Sequence, residues 1–110
     1  MAGTIKDKVA IVGMGCSKFG ERFDCSLSDL IIEAAYEAYS DAKIDPKQIQ
    51  AVYFGNVRAN QIAGNPVADA LKLNGIPMFR NSNWCCSGHV ALINACLAVA
   101  SGVYDCVMAI

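Results

Sequence analysis

The chain has 110 residues, with nine Lys and Arg against ten Asp and Glu, one His, six Cys and 55% hydrophobic residues. That composition excludes a disordered chain and describes one soluble globular domain or a piece of a larger one. A formal net charge of −1 leaves no electrostatic footprint for nucleic acid or an anionic membrane.

The N-terminal stretch "MAGTIKDKVAIVGMGC" has too short an apolar run for an exported leader. The expected compartment is therefore the cytoplasm, and the six cysteines are expected to be thiols rather than a disulfide framework. With no CxxC pair and a single His, no metal site is expected. Residues 8–14, "KVAIVGM", form a β-branched run that suits a strand covered on both faces. It ends in Gly13-Met14-Gly15, but Lys18 stands where a dinucleotide fingerprint needs its third glycine. A phosphate-loop reading fails at Glu21 and Arg22, so the glycines read as a strand-to-loop turn that needs a permissive backbone.

Ser26 with Asp29 forms a short capping box, after which Leu27, Leu30, Ile31, Ala34, Ala35, Ala38 and Ala42 recur at helical spacing. Asp29, Glu33, Glu37 and Asp41 take the other side, giving an amphipathic helix over a sheet. "IDPKQI" is a turn, and Ala51–Val57 reads as a second buried strand. Asn65-Pro66 opens a shorter helix that stops at Asn74-Gly75. "IPMFRNSNW" is extended, Cys85–Ser101 is a helix apolar nearly all round and ended by Gly102, and "DCVMAI" begins a further strand.

Of the 19 charged residues, 17 fall in positions 1–72, and only Arg80 and Asp105 follow. Residues 81–104 carry no charge, yet Asn81, Asn83, Ser87, His89 and Asn94 and the lack of flanking cationic anchors argue for a buried core element rather than a membrane span. A chain of this size has little surface with which to cover such a segment, and it ends inside the apolar run "VMAI". The expectation is a fragment, or a subunit completed by other polypeptide. The order β-α-β-α-β-α-β predicts an α/β layered fold with mainly parallel strands and the last helix sandwiched between layers.

The constellation that carries chemistry is "RNSNWCCSGHVAL", where an extended segment meets a helix at Cys85-Cys86-Ser87-Gly88. A Cys at a helix N-terminus sits where orphan N–H groups and the helix dipole favour negative charge, a setting that raises the thiolate fraction. Ser87 and Gly88 are small enough to leave the first turn open to a thioester or phosphate-bearing ligand. This describes an acyl-transfer nucleophile with some local oxyanion stabilisation, although two buried cysteines filling a core have the same signature.

At these residues the chain resembles the thiolase superfamily, whose nucleophile lies in a motif of Cys, a small residue, Ser and Gly. The likeness runs through "VAIVGMGCSKFG", "SLSDLIIEAAYEAYSDAKIDPKQIQAVYFGNV", "NPVADALKLNGIP" and "ASGVYDCVMAI" in order. It identifies residues 1–110 as the N-terminal part of a thiolase N-terminal domain, the remainder and the C-terminal domain lying outside this sequence. The family's layered α-β-α-β-α fold follows as an expectation. Cys86 fills the small-residue position, which makes Cys85 the nucleophile. Asn83, two residues earlier, is similar to the archaeal-type and sterol-carrier-type branch, whereas Trp84 is bulky for either.

The resemblance implies an acyl-CoA C-acyltransferase that cleaves a 3-oxoacyl-CoA with CoA, or runs the reverse Claisen condensation, through a Cys85 acyl-enzyme. Acyl-CoA and CoA are then substrates, with no permanently bound cofactor. The base and second acid/base residue lie in the family's C-terminal half. His89, four residues after Cys85, has the spacing to pair with it, but an isolated core or pocket His is the commoner case. Arg22, Arg58, Lys72 and Arg80 are candidates for CoA phosphates against a favoured reading as solvated surface charge; Cys16, Cys25, Cys96 and Cys106 read as structural. The resemblance further implies a homodimer or tetramer, and it admits the separate OB-fold and zinc-ribbon partner used in the archaeal-type branch. The alternatives are a condensing synthase of 3-hydroxy-3-methylglutaryl-CoA synthase type and a non-catalytic thiolase-like assembly subunit.

Overall fold

The computed structural model describes residues 3–57 and 65–110. The chain divides into two compact units, one of residues 1–11, 49–57 and 76–110, the other of residues 12–48 and 58–75.

The first unit is built on a three-stranded parallel sheet, β1 (Ala51–Gly55), β2 (Met78–Asn81) and β3 (Val107–Ala109), in the order β2-β1-β3. Val52 pairs with Met78 on one side of β1 and with Met108 on the other. Parallel neighbours need crossovers, and helix α3 (Ser87–Ala100) supplies the one between β2 and β3. Burial without alternation along Ala51–Phe54 matches the apolar run of a strand covered on both faces. Ala51 and Tyr53 pack with Ala91 and Ala95 of α3, joined by Ala98, Tyr104 and Val107. Small residues at this contact bring helix and sheet close. Tyr53 also stacks on Phe79 of β2, ring centroids 4.8 Å apart. The exposed Gln50 holds the approach to β3, its Oε1 accepting from the N–H groups of Asp105 at 2.6 Å and Cys106 at 3.2 Å.

The second unit contains α1 (Leu27–Ala42), a 3-10 turn (Pro46–Gln48) and α2 (Pro66–Leu71). The capping box is formed in full: Ser26 Oγ accepts from the Asp29 N–H at 3.2 Å, and Asp29 Oδ2 accepts from the Ser26 N–H at 2.8 Å. That second bond, followed by the Ser26 hydroxyl, holds the Asp29 carboxyl below its ordinary pKa. Ile31, Ala35 and Tyr39 form the buried stripe of α1, and Val67 and Leu71 that of α2. α2 begins at an Asn65 cap with Pro66 in its first turn and ends earlier than the Asn74-Gly75 stop, because Lys72 already turns left-handed at φ 54°.

Residues 8–14 belong to no strand among the described residues, contrary to the sequence pattern. Both edges of β1 are taken by β2 and β3. In the second unit, Met14, Cys16 and Lys18 instead donate their N–H groups to Asp41 at 2.9 Å, Glu37 at 2.9 Å and Glu33 at 3.0 Å. The match is metrical: two residues of extended chain advance about 6.7 Å, close to the roughly 6 Å of four helical residues. Carboxylates at positions 33, 37 and 41 therefore meet every second N–H of a chain running antiparallel to the helix. Gly13 and Gly15 lie on the same path with no positive φ. A Cβ at Gly13 would fall 2.6 Å from the Ala38 carbonyl, and one at Gly15 would overlap the Ala34 carbonyl. These glycines permit close packing on α1 rather than a turn.

The α3 helix also departs from expectation. It starts at Ser87 rather than Cys85, and only the Ser87, Ala91 and Ala95 stripe is buried. Leu92, Ile93 and Leu97 are exposed, so no second layer covers this helix among the described residues. None of the helices among the described residues is long and apolar enough to cross a membrane.

Candidate functional site

Cys85 is exposed and free, in a tight turn between β2 and α3. It lies two residues before the first helical residue, and Cys86 is the N-cap, with no side-chain capping bond. Of the N–H groups at this helix end, that of Cys86 donates to the Asn83 carbonyl at 2.9 Å and that of Ser87 to the Trp84 carbonyl at 3.2 Å. The helix start expected at Cys85 is thereby corrected: Cys85 precedes the helix, and these two N–H groups are bonded within the turn.

The turn is fastened by Ser87, the buried polar side chain of the core, only 4% exposed. Its Oγ accepts from the Asn83 N–H at 2.8 Å and donates to the Trp84 carbonyl at 2.7 Å. Hydroxyl and backbone thus converge on residues 83 and 84 while Cys85 stays on the outside. Trp84 adopts φ 50°, uncommon for a bulky side chain, and its indole is 79% exposed. Nothing lies within 4 Å of the Cβ position at Gly88, so the helix start is open there as expected. Ser87, by contrast, leaves no space and serves as a fastener.

The turn is also seated from below. A Cβ on Gly55, at the end of β1, would lie 2.5 Å from the Ser87 carbonyl oxygen and 2.8 Å from the Gly88 nitrogen. The absence of a side chain lets β1 abut the start of α3. Further along, Asn94 donates to Asn81 Oδ1 at 2.7 Å, joining the middle of α3 to the end of β2. Neither contact has a signature in residue spacing, since each depends on which strand end faces which helix turn.

His89 is exposed on α3 and makes no hydrogen bond with Cys85 among the described residues. Arg22 is committed to Asp24 at 3.4 Å and Glu33 at 3.2 Å. Lys72 is the exposed C-cap of α2, Arg80 is exposed on β2, and Arg58 falls outside the described residues. Burial raises the pKa of the Cys106 thiol, in keeping with a structural role.

An extended segment leading through a turn with an exposed Cys into a helix laid on a parallel sheet defines a parallel α/β domain. Residues 9–110 match the family model "Thiolase, N-terminal domain", and the chain belongs to that family. It is 42% identical over 105 residues to the acetyl-CoA acetyltransferase of Methanocaldococcus jannaschii, covering 91% of this chain and 27% of that protein. Identity to the acetyl-CoA acetyltransferase of Methanothermobacter thermautotrophicus is 38%, over 92% of this chain and 28% of the relative. Sterol carrier protein 2 of Gallus gallus is 31% identical across 99% of this chain and 20% of its own length. The fold matches the acetyl-CoA acetyltransferase structure from Syntrophomonas wolfei with a TM-score of 0.77 at 24% identity, over 86% of this chain and 26% of that one. The chain thus spans about a quarter of the archaeal relatives.

Proposed function

We propose that this chain carries the nucleophile of a thiolase-type acyl-CoA C-acyltransferase, and that the nucleophile is Cys85. The observation that carries the reading is the exposed Cys85 at the apex of a fastened turn, in a chain of the thiolase N-terminal family. The relatives named acetyl-CoA acetyltransferase support CoA thioesters as the substrate class.

In the degradative direction the Cys85 thiolate attacks the C3 carbonyl of a 3-oxoacyl-CoA. The C2–C3 bond breaks, the acyl group stays on sulfur, and the departing carbanion takes a proton to become acetyl-CoA. A second CoA thiol then attacks the Cys85 thioester, releasing the shortened acyl-CoA and restoring the thiol. Condensation is the same path reversed. The base for Cys85 and the acid/base for the carbanion come from polypeptide beyond these residues, which form the first part of the domain. Assembly as a homodimer or tetramer, an OB-fold partner and a cytoplasmic setting belong to the same proposal.

The test is site-resolved alkylation of the natural polypeptide. Iodoacetamide labels Cys85 faster than the other five thiols near neutral pH, and prior acetyl-CoA protects it while adding an acetyl group to the peptide that contains it. Equal labelling of all six thiols without protection overturns the reading.

A further inference from the structure

We infer that Ser87 is a positioning residue for Cys85, acting through Trp84: its hydroxyl holds residue 84 in the left-handed conformation that turns Cys85 outward. The inference rests on Cys85 being the nucleophile.

Three observations converge on it. Trp84 sits at φ 50°, a region that a large side chain occupies only when its surroundings enforce it. The enforcing contacts reach both ends of that residue's backbone environment: the Ser87 hydroxyl donates to the Trp84 carbonyl at 2.7 Å and accepts from the preceding Asn83 N–H at 2.8 Å. The Trp84 indole, 79% exposed, has no packing of its own to fix the residue. Ser87 is in turn tightly packed: its side chain is buried, and its carbonyl lies against Gly55 at a spacing that admits no Cβ. The Ser87 hydroxyl thus adds the shortest bond to a turn that the Ser87 and Cys86 N–H groups also close, and it refers the placement of Cys85 to the end of the central strand.

A buried Ser could instead satisfy its own polar group and do nothing for Cys85. The two roles separate on Trp84. If the hydroxyl acts by enforcing φ above zero, a residue that adopts this conformation freely makes the hydroxyl dispensable; glycine does so. If Ser87 only supports the fold, replacing Trp84 adds a second defect.

The experiment measures the rate of Cys85 alkylation against pH, resolved by peptide mass, in the natural polypeptide and in S87A, S87T, W84G and W84G/S87A. Labelling by a small reagent follows how exposed a thiol is and how much of it is thiolate. S87A is therefore expected to slow Cys85 labelling roughly 10-fold and change its pH profile, while labelling of Cys86 changes little. S87T, which keeps the hydroxyl, stays within a few-fold of the parent by the same reasoning, and W84G/S87A regains most of the rate and the parental pH profile. If S87A does not fold, W84G/S87A recovers folding as read by thermal unfolding. Parental labelling in S87A, or a double variant no better than S87A in rate or folding, overturns the inference. Failure of the nucleophile reading is distinguishable, because it shows in the unmutated protein as unselective, unprotected labelling.

Discussion

The helices α1 and α3 are of similar length and solve different problems. α1 has a buried stripe, a reciprocal Ser26–Asp29 cap, and an acidic edge whose carboxylates accept from the backbone of residues 14, 16 and 18. Its buried stripe and its acidic edge each have partners within its own unit, while Leu27, Ile32 and Tyr36 stay exposed. α3 has a buried stripe of small residues, an N-cap without a side-chain bond, and exposed Leu92, Ile93 and Leu97. Its position depends on contact with the sheet and on the turn before it rather than on its own ends. A helix that is apolar all round is a core element, and here it has only one of its faces covered. α1 is thus held by its own cap and acidic edge, whereas α3 follows the turn that presents Cys85.

Both helices are approached through glycines that leave no room for a methyl group, and this contact is expected to dominate their stability. In Gly15→Ala the new Cβ overlaps the Ala34 carbonyl of α1, and in Gly55→Ala it lies 2.5 Å from the Ser87 carbonyl of α3. Each neighbour is helix backbone and cannot rotate away, so each substitution should cost about 3 kcal/mol. Chemical denaturation of the natural polypeptide checks this. A distinction between the two lies in Cys85 alkylation, which Gly55→Ala should slow and Gly15→Ala should leave alone.

The helix ends should differ next. Ser26→Ala removes the cap of α1 and is expected to cost about 1 kcal/mol. Cys86→Ala, at the matching position of α3, breaks no capping bond and should stay within about 0.5 kcal/mol. Equal losses at the two sites, measured by denaturant midpoint at constant slope, would remove the contrast drawn between these helices.

The sequence made α1 legible to the residue because its cap, stripe and polar edge are all local patterns, and the strands Ala51–Gly55 and Met78–Asn81 were visible as apolar or extended runs for the same reason. The turn that holds Cys85 is legible as a motif but not as a geometry. Nothing in "NWCCSG" says that Trp84 turns left-handed or that the helix begins only at Ser87. In residues 8–14 the β-branched composition reports a preference for extended backbone, not the identity of the hydrogen-bond partner. The clue to that partner was the four-residue spacing of Glu33, Glu37 and Asp41, read as a solvated face.

The carboxylate edge supplies the smallest effect and the one with a pH signature. The Lys18 N–H, and after it the Arg22 guanidinium, hold the Glu33 carboxyl below its ordinary pKa in spite of some desolvation. A carboxyl that ionises at lower pH when folded binds fewer protons there than in the unfolded chain. Its contribution is therefore complete above the ordinary carboxylate range and fades as pH falls through the lowered folded value. At neutral pH Glu33→Gln should be slightly less stable than the parent, since a neutral amide accepts the Lys18 N–H more weakly and leaves Arg22 with Asp24 and the Lys18 carbonyl but without the charge of Glu33. Toward the acid end the two stabilities converge, because the parent has lost the same charge. Denaturation midpoints of the pair across pH test the sign: a gap that widens on acidification would mean that the contact is not held by an ionised Glu33. A parallel series for Ser26→Ala should also narrow on acidification, because the Ser26 hydroxyl donates to the ionised Asp29 carboxylate at 2.7 Å, but a gap should remain from the lost acceptor for the Asp29 N–H, which separates the charge-held edge of α1 from the hydroxyl at its cap.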